Sequence, residues 1–328
     1  MALKVIPYRA SDAAQWDQFC ADKSNATFLH TRRYLSYHEN KYVDHSLLIY
    51  SNNRLVGVFP IAISKKEGAI PMSHPGISYG GVIHSGKLIG DLMTEAFDLS
   101  MGYLKSLGYQ KFVYKPIPYI YNSIPSQDDI YTLISRGAKV TRCDLSSSVK
   151  LSNRRILDSK RIRPRPLFLP NLSGTENGTD LEYYFSSNFD KIGEFWKVLS
   201  ENLIKKYKTL PTHSLEEIID LKARFPDNID LITISNSLEC LGGLILYWTE
   251  HVCHIQYMGA SILGNEARAM DTLVEKVICL GIEKGVSFLD FGHSNENSGQ
   301  YLNSGLYKFK SKFGGGGLGL LEFTIEII

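Results

Sequence analysis

Two stretches of this chain follow the same order of patterns, and that repetition constrains its fold more than any other feature. In the first, residues 4–8 read as a strand, and Ser11 caps a helix running to about residue 22. A second helix fits about 32–42. The segment "SLLIYSNNRLVGVFPIAIS" then places two apolar runs around Asn52 and Asn53, as a hairpin does. A helix over about 90–106, a stop at Gly108 and the strand "KFVYKP" complete the set. The second stretch repeats it. "NFDKIGEFWKVLSENLIKKYK" puts Phe189, Ile192, Trp196, Leu199 and Leu203 on one helical face. Ser214 and Glu217 form a capping box, and "IDLITISNSLECLGGLILYW" and "EHVCHIQYMGAS" supply the strands. A helix over about 268–284, a stop at Gly285 and the strand "SFLDFG" follow. Solenoid repeats have periods of about 20–50 residues, so a copy this long is a duplicated domain. The competing reading is an α/β chain that alternates without duplication.

The expected fold class is therefore α/β, with mixed α+β sheets, in two tandem domains: 1–150 and 181–328. A length of 328 residues suits two domains. Residues 151–180 join them as a basic, Pro- and Gly-containing linker. Arg154, Arg155, Lys160, Arg161, Arg163 and Arg165 lie there with Pro164, Pro166 and Pro170. Two readings fit it: a solvated linker, or an arm whose guanidinium groups grip a phosphorylated ligand.

Charge narrows the partners. Lys and Arg total 36 against 34 Asp and Glu, a net +2, so overall charge makes no case for nucleic acid. Five cysteines with no C-x-x-C pair argue for a reducing compartment without a zinc site, hence the cytoplasm. The opening "MALKVIPYRASDAAQW" lacks a signal-peptide core, and no run of ~18 apolar residues predicts a membrane span.

Several stretches carry chemistry. Read as a strand, "VCHIQYMGAS" alternates, with Cys253, Ile255 and Tyr257 on one face and His254, Gln256 and Met258 on the other. Polar residues on a buried face are costly without partners. His254 is thus either a satisfied structural histidine or a general base. The turn "ILGNEARAM" opens the long helix. Gly264 permits close backbone approach, and Arg268 adds charge for an anion at a helix start; an ordinary turn fits equally. In "IPMSHPGISYGGVIH", His74, Tyr79 and Gly80 suit a flat ring lying against backbone, although Gly80 and Gly81 also fit a bulge. Asp290 ends a strand, where α/β sheets bind ligands, and the loop Asn295 to Asn303 begins there.

Taken together, "SHPGISYGG", "PTHSLEEI", "HIQYMGAS", "LDFGHSNENSGQYLNSGL" and "FKSKFGG" resemble the GNAT superfamily of N-acyltransferases, in its Fem-type tandem branch. Within it the chain is most similar to bacterial nucleotide-sugar N-acyltransferases, which acylate the amine of dTDP-linked 3-amino-3,6-dideoxyhexoses for O-antigen or capsule synthesis. The resemblance covers nearly the whole chain. It implies acyl-CoA as co-substrate, no metal, and a nucleotide-linked amino sugar as acceptor. It also implies donor contacts at Met258, Gly259, Gly264, Arg268 and Ala269, with the Met258 and Gly259 amides facing the thioester carbonyl. Proton transfer would fall to His254, with Asp290 as the alternative base, and to Tyr301 at the leaving thiolate. Acceptor contacts would fall to His74, Tyr79, Gly80, Gln256, Asn295, Glu296, Asn303 and Lys310. One departure stands out: the superfamily's pyrophosphate signature Q/R-x-x-G-x-G/A is reduced to Gly264 alone. Fem-type peptidyl transferases that use aminoacyl-tRNA also lack it. That reading, and a non-catalytic sugar-nucleotide binder, are the alternatives.

Overall fold

The structure, a computed structural model, describes residues 2–21, 25–151 and 183–327. The basic linker therefore lies outside the described residues except for Leu151. The chain divides into two compact units. The first is Met1–Ser146 with His293–Ser304 and Gly317–Ile328; the second is Ser147–Gly292 with Gly305–Gly316. The expected division was linear, whereas residues 293–304 and 317–328 belong with the first unit.

In the first unit, β1 (Leu3–Pro7), β3 (Leu47–Ser51), β4 (Arg54–Phe59) and β6 (Ile83–His84) form an antiparallel sheet in the order β1-β3-β4-β6. The short strands β2 (Tyr42–Asp44) and β5 (Ala62–Ser64) pair beside it in sequence. The β3–β4 hairpin turns at Asn52 and Asn53, both at positive φ (48° and 62°), the geometry that two-residue hairpins favour. Helix α1 (Ala13–Ala21) ends near the expected place, but Ser11 does not cap it: that serine lies inside a 3₁₀ turn, Ala10–Asp12, that leads into the helix and starts at Arg9. Helix α2 stops early, at Arg32–Leu35, and a 3₁₀ stretch continues to Lys41. His38 has left helical geometry there, and its Nδ1 lies 2.8 Å from the Leu35 carbonyl. Helix α3 (Asp91–Ser106) buries Met93, Ala96, Phe97, Met101 and Leu104. Helix α4 (Asp128–Ser135) and strand β7 (Lys111–Tyr114) follow. Strand β8 (Lys139–Lys150) completes the first pass along the chain. The last strand of the chain, β16 (Gly316–Glu326), pairs with β7, and its Phe323 and Ile325 complete the core formed by Leu47, Ile49, Phe59, Phe97, Phe112 and Tyr114.

In the second unit, β9 (Tyr184–Ser186), β10 (Ile229–Ser235), β11 (Cys240–Trp248) and β12 (Val252–Ala260) are antiparallel neighbours. Strand β13 (Phe288–His293) adds to β12 in parallel. Helix α8 (Ala269–Glu283) packs Leu273, Val274, Val277 and Ile278 on one face, against Leu244, Leu246, Cys253 and Ile255. Helix α5 (Ile192–Tyr207) covers the opposite face. There a Cβ at Gly243 would press on the Phe195 ring, and one at Gly259 would just touch Leu199. Helix α6 (Leu215–Arg224) starts on the expected capping box, with Ser214 Oγ accepting from Glu217 N at 3.2 Å and Glu217 Oε2 accepting from Ser214 N at 2.9 Å.

The two glycine stops behave alike. Gly108 and Gly285 sit at φ 88° and 74°. In each case the next amide reaches back five residues, Tyr109 to Leu104 and Val286 to Gly281. These are Schellman closures, which need a left-handed residue at that place.

Candidate active site

Strand β12 carries the site, and a bulge sets its geometry. Tyr257 pairs with Ile245 and Ile255 pairs with Leu246, so Gln256 is an extra residue opposite none. This corrects the simple alternation expected from sequence. Past the bulge, Met258 packs into the α8-side core, whereas Tyr257 turns to the α5 side, sharing a face with His254. There Tyr257 meets Trp196 edge-on with ring centroids 5.4 Å apart, and its hydroxyl lies 2.6 Å from His213 Nδ1.

Beyond the bulge, β12 also leaves its parallel neighbour. Its pairing with β13 runs only from Val252 to His254, opposite Phe288 to Asp290. The edge that β12 turns toward β13 therefore lacks ladder partners from Ile255 onward. Which amides lie on that edge follows from two hydrogen bonds. Ser261 N donates to Leu241 O, so Ser261 faces β11. The Ala260 carbonyl accepts from the side-chain amides of Asn202 (2.8 Å) and Asn265 (3.2 Å), so Ala260 faces away. Backbone groups alternate along a strand. Gly259 thus faces β11, and the Met258 N–H points to the open edge.

His254 stands where the two strands part. Its Nδ1 lies 2.9 Å from Asp290 Oδ2. Asp290 is 3% exposed, and its Oδ1 accepts from Gly292 N at 3.2 Å. A carboxylate at Nδ1 holds the proton on that nitrogen and leaves Nε2 as the basic one. Gly292 bends the strand end, at φ 68°, and its carbonyl accepts from Lys310 Nζ at 2.9 Å. Lys310, on α9 (Ser304–Ser311), is 4% exposed. Burial pulls its ammonium down to about 8, while Asp290 acts to hold it up. Its position near Asp290 makes it a support for the strand end.

The turn between β12 and α8 is more self-satisfied than expected. Ser261 Oγ accepts from Gly264 N at 3.0 Å, capping the short helix α7 (Ile262–Glu266). A Cβ on Gly264 would overlap the Leu241 carbonyl, so this glycine serves packing. Arg268 is exposed, in left-handed conformation (φ 57°) at the start of α8. Ala269 is fully buried in the core, so only its backbone can meet a ligand.

The remaining candidates lie in the first unit. Asn295 and Glu296 form β14 (Asn295–Glu296), paired with β15 (Tyr301–Leu302) in a hairpin. Asn295 is spent on structure. Its Oδ1 accepts from Leu145 N at 2.6 Å, and its Nδ2 donates to Gly299 O at 3.2 Å. Asn303 Nδ2 donates to Glu296 Oε1 at 2.7 Å. The polar run after β13 is thus largely a self-bonded hairpin, with Tyr301 exposed on it. Tyr79, expected to lie beside a flat ligand ring, is buried. It packs on Tyr121 with centroids 4.5 Å apart and lies 5.6 Å from His30. A Cβ on Gly80 would overlap the Ser73 carbonyl. His74 is buried at φ 63°.

Sequence reasoning missed His213 and the bulge partner Tyr257. "PTHSLEEI" contained the former, but only the register shift shows which face Tyr257 takes.

No helix among the described residues is long and apolar enough to cross a membrane. No family model and no curated protein sequence matches the chain significantly. Solved structures do. FemX aligns with a TM-score of 0.69 at 11% identity, over 98% of this chain and 96% of that one. A tandem GNAT protein from the clavulanic acid biosynthesis pathway aligns at 0.55 and 10%, over 100% and 99%. L-PGS from Bacillus licheniformis aligns at 0.55 and 13%, over 97% and 92%. At these identities the likeness is one of architecture, and it extends over the whole length: the chain has the α/β fold of the tandem GNAT proteins.

Proposed function

We propose that the protein is an N-acyltransferase that moves an acyl group from acyl-CoA to the amine of a dTDP-linked amino-dideoxy sugar, serving O-antigen or capsule synthesis. The observation that carries the transfer chemistry is the opening between β12 and β13, with the Met258 N–H on one edge and the His254–Asp290 pair at its apex. An extended thioester arm fits such a gap as a strand fits a sheet edge. The neutral amine attacks the thioester carbonyl carbon, forming a C–N bond. The Met258 amide stabilises the oxyanion, an interaction worth ~3–4 kcal/mol per donor in other acyl transfers. His254 Nε2 takes a proton from the attacking nitrogen, and Asp290 stabilises the resulting imidazolium. The C–S bond then breaks, and the thiolate is protonated from solvent. In this scheme Arg268 and the α8 start meet the donor's pyrophosphate. The sugar and its nucleotide rest on the motif resemblance.

A Fem-type transfer from aminoacyl-tRNA to a cell-wall precursor is the second reading. The likeness to FemX and the incomplete pyrophosphate signature favour it. Incubation with acetyl-CoA and a dTDP-amino sugar, read by free-thiol release, separates the two. Release dependent on the amino sugar supports the first. Release absent with CoA thioesters, and transfer present with aminoacyl-tRNA, supports the second.

A further inference from the structure

The first unit contains a cluster of nitrogen-bearing side chains that the acyl-transfer chemistry does not use. It is built around residues 73–80, a loop whose two ends are tied to one residue. Lys115 N donates to Ser73 Oγ at 2.7 Å, and Gly80 N donates to Lys115 O at 3.1 Å. The Lys115 ammonium folds into the same loop and donates to the Ile77 carbonyl. Inside it, His74 is 4% exposed and held at φ 63°.

The hydrogen bonds of His74 define its tautomer. Its Nδ1 accepts from Gly76 N at 3.2 Å, so Nε2 carries the proton. That N–H has no partner among the described residues, yet it is not among the polar atoms sealed from solvent. A buried ring that reaches the surface through one unpaired donor is built for an acceptor from outside.

The surroundings specify a negatively charged one. His38 stacks on His74 with centroids 5.1 Å apart and planes at 14°. Both His38 nitrogens face carbonyl oxygens, Leu35 O at 2.8 Å and Gly76 O at 3.1 Å. Burial first, then the fields of His38, Lys115, Arg32 and His30, keep His74 itself well below the usual imidazole range. Arg32 is answered by Asp44, and Glu322 acts on Lys115. The edge of the Tyr42 ring closes the cluster, 5.6 Å from His74.

We propose that His74 and Lys115 form an anion subsite for a phosphate or diphosphate group. The His74 Nε2–H donates to a phosphate oxygen, and the Lys115 ammonium exchanges the Ile77 carbonyl for the anion.

Calorimetric titration of the full chain with inorganic pyrophosphate and with thymidine diphosphate tests this. His74→Gly keeps the left-handed backbone while removing the donor, and Lys115→Met keeps the stem while removing the charge. Arg136→Ala is the control, an exposed arginine paired with Asp98. The wild-type chain is expected to bind at least one probe, and each of the first two variants to lose about tenfold or more in affinity, with the control unchanged. Thermal melts of the variants check folding. Equal affinity for both probes assigns the subsite to phosphate groups alone, and tighter binding of thymidine diphosphate assigns it to a nucleotide's diphosphate; either upholds it. A wild-type chain that binds neither probe, or folded variants that bind as wild type, overturns it. The thiol-release assay is independent: its failure with anion binding intact removes the acyl-transfer reading and leaves the subsite.

Discussion

His254 Nδ1 and Asp290 Oδ2 lie 2.9 Å apart, at the last rung of the β12–β13 ladder. The pair holds the imidazole proton on Nδ1 and leaves Nε2 as the basic nitrogen. His254→Asn should therefore lower turnover by about 10²–10⁴-fold if Nε2 is the base. A pH–rate profile at saturating acyl-CoA checks this. Any limb of the profile that depends on His254 should be present in wild type and absent from the variant. Equal turnover with the same profile in both proteins removes His254 as the base.

Gly292 stands beside that pair at φ 68°. An alanine there meets only ordinary contact with the His254 ring, at 3.4 Å. The cost is therefore backbone strain, about 1–2 kcal/mol. Gly292→Ala should lower the melting temperature modestly and kcat more strongly, because the strand end positions Asp290. An unchanged kcat in the strained variant would separate the strand end from the chemistry.

Lys310 supplies a pH signature of stability. Its folded value, about 8, lies below the ordinary 10.5. Between those two values the unfolded chain binds more protons than the folded one, so this lysine makes stability rise with pH across that window. Below about 8 the penalty for its buried charge is fully present. Lys310→Met should flatten the rise, measured as denaturant midpoints from pH 8 to 10. Parallel curves for wild type and variant would contradict it.

Much of this architecture was legible in the sequence. Asn52-Asn53, the Ser214–Glu217 box and the Gly108 and Gly285 stops act through local backbone chemistry, which a short window contains. His254 and Asp290 were visible as polar residues on apolar strands, though not as partners. The bulge at Gln256 was not legible, because a register shift depends on β11 as much as on β12. The same holds for the hairpin after β13: its asparagines look like a ligand loop until Leu145 and Gly299 are seen to use them. Burial of Tyr79 escaped for a related reason, since Tyr121 and His30 come from distant parts of the sequence.

Deleting Gln256 tests the bulge directly. Without it, Ile255 and Tyr257 become neighbours in a regular ladder with β11, Tyr257 keeping the α5 side, and β12 loses the bend that parts it from β13, so the opening narrows. Folded protein should survive with a lowered melting temperature, and acyl transfer should be lost. Retained activity would show that the open edge does not depend on the bulge.

Gly264→Ala probes the turn into α8. A methyl group there overlaps the Leu241 carbonyl, so the turn must shift away from β11. The expected result is destabilisation of about 1–3 kcal/mol, read as a lower denaturant midpoint at unchanged slope. A neutral effect would mean that the turn is not held against β11.

The central claim is that the β12–β13 opening transfers an acyl group to an amine. Mass spectrometry of a dTDP-amino sugar incubated with the enzyme and a panel of acyl-CoA donors measures it most directly. The account predicts a mass gain equal to the acyl group, one free thiol per product, and loss of both in the Gln256 deletion. An unmodified sugar nucleotide with every donor, from enzyme shown to be folded, would contradict it.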